Sequence, residues 1–169
     1  MIDLPIRERW QLVDVLRTVV YQCLVTAFEA EQFAELVSMV AGELVENALK
    51  YGAWDGSAEP RGGEARLRIS GRPAGVDLEV TNPLPEGAGT GMLYDVLDRI
   101  RRAPTPRDAY VERLREVARD SATAFSGGLG LMRIAYEAGC ALSAVVEGKT
   151  LSVRASVDAP LDAGSDLAR

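Results

Sequence analysis

The sequence predicts an α+β fold, a two-layer sandwich with helices on one face of a mixed, mostly antiparallel β-sheet. Three observations predict it: two long stretches with apolar residues at helical spacing, two pairs of alternating segments joined by Gly-containing turns, and no internal repeat. The 169 residues are 47% hydrophobic and 26% charged, which is typical of an ordinary globular chain. A chain of this length fits one domain, expected over 1–157, with a polar, disordered tail over 158–169.

Two helices are predicted in the first third of the chain. The stretch from Arg7 to Ala27 contains no Gly or Pro, although β-branched residues leave a strand possible near its end. Its apolar side consists of Trp10, Val13, Leu16, Val20 and Leu24. This side suits either core packing or contact with a second copy in a homodimer. A second helix is predicted over Glu31–Tyr51, ended by Gly52. Its buried face is expected to hold Phe33, Leu36, Val37, Val40, Leu44 and Ala48.

Two β-hairpins are predicted after these helices. Residues 52–63 are rich in Gly and Pro and form a loop. ARLRIS and VDLEVTN then alternate around the turn GRPAG, and ALSAVVEG and TLSVRASV alternate around a Gly-Lys turn near the C-terminus. Both pairs therefore predict antiparallel strands.

A long insert separates the two hairpins, over about 83–128. It begins with the Gly-rich PLPEGAGTG and continues as the helical segment MLYDVLDRIRR. A break is expected at Pro104 and Pro106, and a second helix over about Asp108–Asp120. SGGLG then opens a short helix that ends at Gly139.

Composition excludes several classes of function. The sequence contains no histidine, which excludes Ser-His-Asp and Cys-His catalysis and phosphorylation of the chain on histidine. The net charge of −6 argues against nucleic acids and acidic membranes as partners. Cys23 and Cys140 lie in apolar segments and are expected to be reduced core residues. The charged N-terminus and the lack of an apolar run near the ~20 residues of a membrane span predict a cytoplasmic protein.

The second predicted helix carries a carboxylate and an amide four residues apart, Glu43 and Asn47. This spacing places both on one side of the helix, at the edge of its apolar face. One interpretation is a solvated flank with a local hydrogen bond. The other is a Mg²⁺ site, in which the amide oxygen binds the metal and the carboxylate acts as a general base.

The short helix near the C-terminus is preceded by Gly127, Gly128 and Gly130. Glycines at a helix N-terminus let main-chain N–H groups approach a phosphate, where the helix dipole favours negative charge. The alternative interpretation is a plain flexible turn. Alone, this pattern does not separate the two.

Taken together, the two motifs resemble those of a known family. AGELVENALKYG resembles the N-box of the GHKL (histidine kinase-like) ATPase superfamily, and SGGLGLMRIAYEAG resembles the G2 box of its bacterial anti-sigma-factor kinases. The resemblance covers about residues 30–157. It is to the stand-alone Ser/Thr kinases, or kinase/phosphatases, of partner-switching systems, whose fold is the Bergerat-type sandwich.

The resemblance implies cofactors, partners and roles for particular residues. ATP and Mg²⁺ would be the cofactors. Asn47 would bind Mg²⁺, Glu43 would be the catalytic base, and Lys50 would lie near the phosphates. Gly127, Gly128 and Gly130 would wrap the triphosphate, and the segment 83–128 would be the ATP lid. The partner would be a small anti-sigma-factor antagonist-like protein or a sigma factor, and the family commonly dimerises.

The sequence departs from the family pattern at the adenine end. Where the family places an Asp that accepts a hydrogen bond from the adenine amino group, this chain has Asn82, a neutral and weaker acceptor. Gly87 and Gly89, with Gly91, are expected either to replace the family's glycines a little downstream or to form an ordinary loop. A second hypothesis is therefore a non-catalytic binding module with a degenerate adenine site, which sequesters a regulatory partner.

Overall fold

The computed structural model describes residues 1–54, 65–119 and 127–160. Within these residues, five strands and five helices form an α+β fold, which confirms the predicted fold class. In chain order they are β1 (Ile2–Ile6), α1 (Gln11–Phe28), α2 (Glu31–Tyr51), β2 (Ala65–Arg72), β3 (Gly75–Pro83), α3 (Gly91–Arg102), α4 (Pro106–Arg119), α5 (Leu129–Glu137), β4 (Ala141–Glu147) and β5 (Thr150–Asp158).

The five strands form one sheet in the order β1-β2-β3-β5-β4. Within the described residues, every neighbouring pair of strands is antiparallel, so the parallel pairs that a mixed sheet would need are missing. Burial alternates along β2, β3 and β5 with the period of two that a half-buried strand requires. The buried face consists of Ala65, Leu67, Ile69, Val76, Leu78, Val80, Leu151, Val153, Ala155 and Val157. α2 lies across this face, in contact with β2, β3 and β5.

The opposite face of the sheet carries a row of alternating charges. Asp3, Arg68, Glu79 and Arg154 lie in register on β1, β2, β3 and β5. Arg68 pairs with Asp3 at 3.4 Å and with Glu79 at 3.7 Å, and Arg154 donates to Glu79 at 2.7 Å. Opposite charges on neighbouring strands attract one another across the sheet. This face therefore needs no second layer of helices.

α2 spans the residues that the sequence predicts and ends at Gly52. Phe33, Val37, Val40 and Ala48 are buried on it as expected. Its length of 21 residues and its central position make it the scaffold of the helical layer. Because residues three and four apart share a helix face, the same rigid element also fixes the spacing of its polar side chains.

The N-terminal segment differs from its prediction. β1 was not predicted, because IDLPI is short and contains Pro5, which is tolerated on an edge strand such as this one. α1 begins at Gln11 rather than Arg7 and stays helical to Phe28, so no strand forms near its end. Trp10 precedes the helix and is 52% exposed. The other residues on the predicted apolar side of α1 belong to the core: Val13, Leu16, Val20 and Leu24. This side of α1 is therefore not available for contact with a second copy of the chain. Homodimerisation stays a prediction.

α1 is 18 residues long with a mean hydropathy of 1.2, which makes it long and apolar enough to cross a membrane by length and composition alone. No such segment was predicted from the sequence. Core helices of globular proteins pass the same test, and α1 packs along α2 through its buried side. The cytoplasmic location stays a prediction. Cys140 is buried, as predicted, whereas Cys23 is exposed because it lies on the outer side of α1.

The insert between β3 and α5 contains two helices, α3 and α4. The break expected at Pro104 and Pro106 is present between Arg102 and Pro106. α4 begins at Pro106 rather than Asp108, because proline suits the first turn of a helix. Arg99 of α3 donates two hydrogen bonds to Glu116 of α4, at 2.6 and 3.0 Å, and joins the helices. The loop over 52–63 and the tail over 158–169 lie mostly outside the described residues. Asp158, however, ends β5, where it pairs with Gly75.

Gly75 opens β3 in a conformation that requires glycine. Its φ is +148°, and a Cβ here would overlap the main-chain oxygen of Val157 on β5. We expect Gly75→Ala to lower the free energy of unfolding by ~1–3 kcal/mol through backbone strain. Thermal unfolding followed by circular dichroism measures this loss. Gly71→Ala is the matched control, since a Cβ at Gly71 meets no atom within 4 Å. Equal midpoints for the two variants would contradict the prediction.

Candidate functional site

A cavity of about 440 Å³ lies between the C-terminal half of α2, the end of β3, the helix α3 and the start of α5. Six of the nine residues that the sequence predicts for the site line it. These are Asn47, Lys50, Asn82, Gly87, Gly89 and Gly128. The other three, Glu43, Gly127 and Gly130, lie outside its lining. Most of the predicted residues therefore meet at one place, although they come from three separate segments of the chain.

Asn47 of α2 and Gly128 line one end of the cavity. The Asn47 Nδ2 atom is buried and has no hydrogen-bond partner within the described residues. An unsatisfied buried donor is costly, so it is expected to meet an acceptor on a bound molecule. Gly128 precedes α5 with φ +88°, and a Cβ there would lie 2.5 Å from Cγ2 of Val96. Within the described residues no side chain caps the N-terminus of α5, so its first N–H groups suit an anion.

Lys50 contributes a positive charge at the rim. It lies three residues after Asn47 on α2, and its side chain is 48% exposed. Its Nζ atom lies 3.7 Å from the Glu46 carboxylate on the same helix. An exposed lysine with four rotatable bonds can exchange this weak contact for another anion at little cost.

Asn82 lies at the other end of the cavity, where β3 ends. It is only 2% exposed and is the sole buried polar residue in the part of the chain that the structure describes. Its Nδ2 atom donates a hydrogen bond to the main-chain oxygen of Pro83 at 3.3 Å. The amide oxygen is therefore the group of Asn82 that can accept from a ligand. Leu84 donates its N–H to the Lys149 oxygen at 2.8 Å, which ties the strand end to the turn between β4 and β5.

The wall between these two ends is apolar. Its side chains come from α2, β3 and the loop after it, α3, α5 and β5, and include Ala48, Val80, Leu84, Met92, Leu93, Val96, Leu131, Leu151 and Val153. Such a wall suits a flat, weakly polar group such as an aromatic ring. As individual site residues, the sequence predicts only Gly91 of α3, which does not line the cavity, whereas Met92, Leu93 and Val96 do. Their signal was the apolar side of an amphipathic helix that directly follows a Gly-rich loop.

Gly87 and Gly89 lie in the loop between β3 and α3. Gly87 has φ +74°, a left-handed conformation that favours glycine in a tight turn. Both residues line the cavity, so this loop is part of its wall rather than a remote connection. This position agrees with a role in the site. It also agrees with the predicted alternative, an ordinary loop.

Glu43 lies beside the cavity, beneath the first turn of α5. Its side chain is 13% exposed, and Arg133 of α5 lies 3.4 Å from its Oε1 atom. Burial is the main cause that raises the pKa of Glu43, with a smaller contribution from the nearby Glu46 charge, while Arg133, Arg17 and Lys50 oppose the shift. A carboxyl whose pKa is raised by burial is a candidate proton acceptor near neutral pH.

The helix α4 connects the insert to the turn before α5. Arg113 donates to the main-chain oxygen of Gly127 at 3.2 Å, and the rings of Tyr110 and Tyr136 stack with 6.0 Å between their centroids. Gly127 therefore serves here as a contact between the insert and the start of α5. These contacts dock the insert against the helix that follows the predicted phosphate-binding glycines.

No protein-family model matches the chain, and no curated protein matches it. Among solved structures, the chain is similar to a chain in the crystal structure of the SiaB–SiaC complex from Pseudomonas aeruginosa. The TM-score is 0.66 with 19% sequence identity, and the alignment covers 92% of this chain and 89% of that chain. The two chains therefore share a fold over almost their whole length.

Proposed function

We propose that this protein is an ATP- and Mg²⁺-dependent Ser/Thr protein kinase of the GHKL type that regulates a small partner protein. One observation carries the proposal: a single cavity brings together Asn47, Asn82 and Gly128. The family resemblance assigns these three positions to the metal, the adenine ring and the phosphates. Their meeting in one cavity, with Glu43 beside it, agrees with a nucleotide site.

The described residues fit Mg-ATP at the phosphate end. They contain no cluster of three or more His, Cys, Asp or Glu side chains for a metal, and Mg²⁺ does not need one. Mg²⁺ usually binds one or two protein oxygens together with phosphates and water. Asn47 would supply such an oxygen, and its unsatisfied Nδ2 would donate to a phosphate. Gly128 and the N-terminus of α5 would receive the phosphate oxygens, with Lys50 at the rim.

When bound, Mg-ATP would supply the phosphoryl group and the metal charge that stabilises its transfer. Glu43 would accept the proton of a Ser or Thr hydroxyl presented by the partner. Its raised pKa suits this role, because a carboxylate with a higher pKa binds a proton more strongly than an ordinary one. Gly130 and Gly127, which do not line the cavity, would act from the turn that carries Gly128.

At the adenine end, Asn82 would accept a hydrogen bond from the adenine amino group through its Oδ1 atom. Its Nδ2 atom donates to Pro83, so Oδ1 is the atom of the amide that accepts hydrogen bonds. The apolar wall would bury the ring, with Leu93 and Val96 of α3 closing one side. Gly87 and Gly89 would let the main chain approach the nucleoside.

The partner is proposed to be an anti-sigma-factor antagonist-like protein or a sigma factor. The family resemblance supports this class. The similar solved structure is a complex of two proteins, which agrees with a protein partner for this fold.

A non-catalytic binding module is the second candidate function. Asn82 favours it, because this neutral amide replaces the charged acceptor of the family. Lys50 also favours it: among the described residues that line the cavity it is the cation, and it already contacts Glu46. Such a protein would hold its partner without transferring phosphate.

Thermal unfolding with and without Mg-ATP separates the two candidates. Ligand at a hundred times its Kd stabilises the folded state by about 2.7 kcal/mol. For a chain of this size, we expect the midpoint to rise by about 5–10 °C. ATP with a chelator and Mg²⁺ alone are the controls, and each should give a smaller rise. An unchanged midpoint at saturating Mg-ATP would leave the binding module as the better proposal.

A further inference from the structure

We infer that the first two turns of α5 hold the Glu43 carboxylate, with Gly130 providing the space and Arg133 the charge. Arg133 is then a positioning residue for the base, and the turn that meets the phosphates also sets the place of the proton acceptor. This inference rests on the proposed kinase function, in which Glu43 is the base.

Gly130 provides the space. The Glu43 side chain rises from α2 toward the first turn of α5, and a Cβ built on Gly130 would overlap its Oε2 atom. Any residue other than glycine would displace the carboxylate or the turn. Because Gly130 does not line the cavity, contact with a phosphate does not explain why this position is glycine, whereas contact with Glu43 does.

Arg133 provides the charge. Its Nη1 atom lies 3.4 Å from Oε1 of Glu43, while its Nε atom donates to Glu137 at 3.1 Å. Glu137 lies one turn further along α5, so this second contact holds the guanidinium against its own helix. Both oxygens of the Glu43 carboxylate therefore lie against α5. Oε2 lies in the space left by the missing side chain of Gly130, and Oε1 lies beside Arg133.

The other charged residues around Glu43 do not hold its carboxylate in place. On α2, Glu46 repels the carboxylate, and Lys50 lies 3.7 Å from Glu46. On α1, Arg17 donates to Glu46 at 2.9 Å. Arg17 and Lys50 therefore attract Glu43 from a distance while they pair with Glu46, whereas Arg133 pairs with Glu43 itself.

The arrangement links nucleotide binding to the placement of the base. Gly128, Gly130 and Arg133 lie within six residues of one another on a single turn and helix. A phosphate bound at the N-terminus of α5 would fix this turn, and the fixed turn would fix Glu43. Placement within about an ångström matters, because such a displacement can reduce a rate by about 100-fold.

The test measures phosphoryl transfer and ATP affinity separately in Arg133→Gln and Arg133→Lys. With the purified partner and saturating Mg-ATP, we expect Arg133→Gln to slow transfer by about 10- to 100-fold. The Kd for ATP, from calorimetry, should change by less than about threefold. Arg133→Lys keeps the charge and should recover most of the rate. Arg154→Gln, which removes an arginine from the opposite face of the sheet, is the matched control and should leave the rate unchanged.

Two outcomes would overturn the inference. Phosphoryl transfer by Arg133→Gln at the wild-type rate would show that the position of Glu43 does not depend on Arg133. An equal loss of ATP affinity in Arg133→Gln and Arg133→Lys would show that Arg133 acts on the nucleotide rather than on Glu43.

A second measurement needs no nucleotide and separates failure of the inference from failure of the proposed function. A double-mutant cycle compares the thermal midpoints of Glu43→Gln, Arg133→Gln and the double variant. We expect Arg133→Gln to lower the midpoint by about 1–3 °C in the wild-type background and by less beside Glu43→Gln, where only its contact with Glu137 is lost. If the wild type binds no ATP, the kinase proposal fails, and this coupling alone decides whether Arg133 holds Glu43. Equal effects in both backgrounds would overturn the inference.

Discussion

Replacing Asn47 by alanine is expected to abolish the stabilisation of the folded protein by Mg-ATP. Asn47 is the proposed oxygen ligand of Mg²⁺, and its Nδ2 atom is a buried donor without a partner in the described structure. Alanine removes both groups, so the metal loses its protein ligand and a phosphate loses a donor. The midpoint with saturating Mg-ATP should then fall back to that of the variant alone, a loss of about 5–10 °C relative to the wild type.

The stability of Asn47→Ala without nucleotide serves as the first control. Because Nδ2 forms no hydrogen bond in the described structure, its removal breaks none there, and alanine favours a helix more than asparagine does. The variant should therefore unfold within a few degrees of the wild type. Gln32→Ala, an exposed position near the start of the same helix, should keep the full response to Mg-ATP. A full response from Asn47→Ala would show that the metal binds elsewhere.

The parts of the fold that the sequence predicts well are those with a clear period. α2 follows from apolar residues three and four apart and from Gly52 after its last turn, and its predicted bounds are those of the structure. The two hairpins follow from strict alternation on either side of short turns. In each case the signal lies in neighbouring residues, so no knowledge of tertiary contacts is needed.

The parts that the sequence does not predict depend on distant contacts. β1 becomes a strand because β2 offers it a free edge, and five residues that include Pro5 carry little signal alone. The ion pair between Glu43 and Arg133 joins residues 90 positions apart. The same holds for Met92 and Leu93, whose place in the cavity wall depends on how α3 packs. Motif spacing thus predicts Asn47, Lys50 and Asn82 at the cavity, while its apolar wall requires the structure.

Replacing Glu43 by glutamine is expected to preserve ATP binding and to abolish phosphoryl transfer. Glutamine keeps the shape of the side chain and can still accept a hydrogen bond from Arg133, but it cannot accept a proton from a hydroxyl. Loss of a general base lowers a rate by about 100- to 10,000-fold. Transfer of labelled phosphate to the purified partner measures the rate, and the shift in thermal midpoint with Mg-ATP measures binding. Transfer at the wild-type rate would show that another group is the base.

The pKa of Glu43 predicts how this variant behaves without nucleotide. Burial raises the pKa in the folded protein above 4.5, so the ionised carboxylate is less stable in the folded state than in the unfolded state. Its contribution to stability is present below the unfolded pKa and is lost as the pH rises through the folded pKa. Glu43→Gln should therefore unfold at the same temperature as the wild type or higher at pH 7, with the difference vanishing below about pH 4. A lower midpoint for Glu43→Gln at pH 7 would mean that the ion pair with Arg133 outweighs the cost of burial. The folding of the variant would then have to be checked before its loss of phosphoryl transfer is assigned to a missing base.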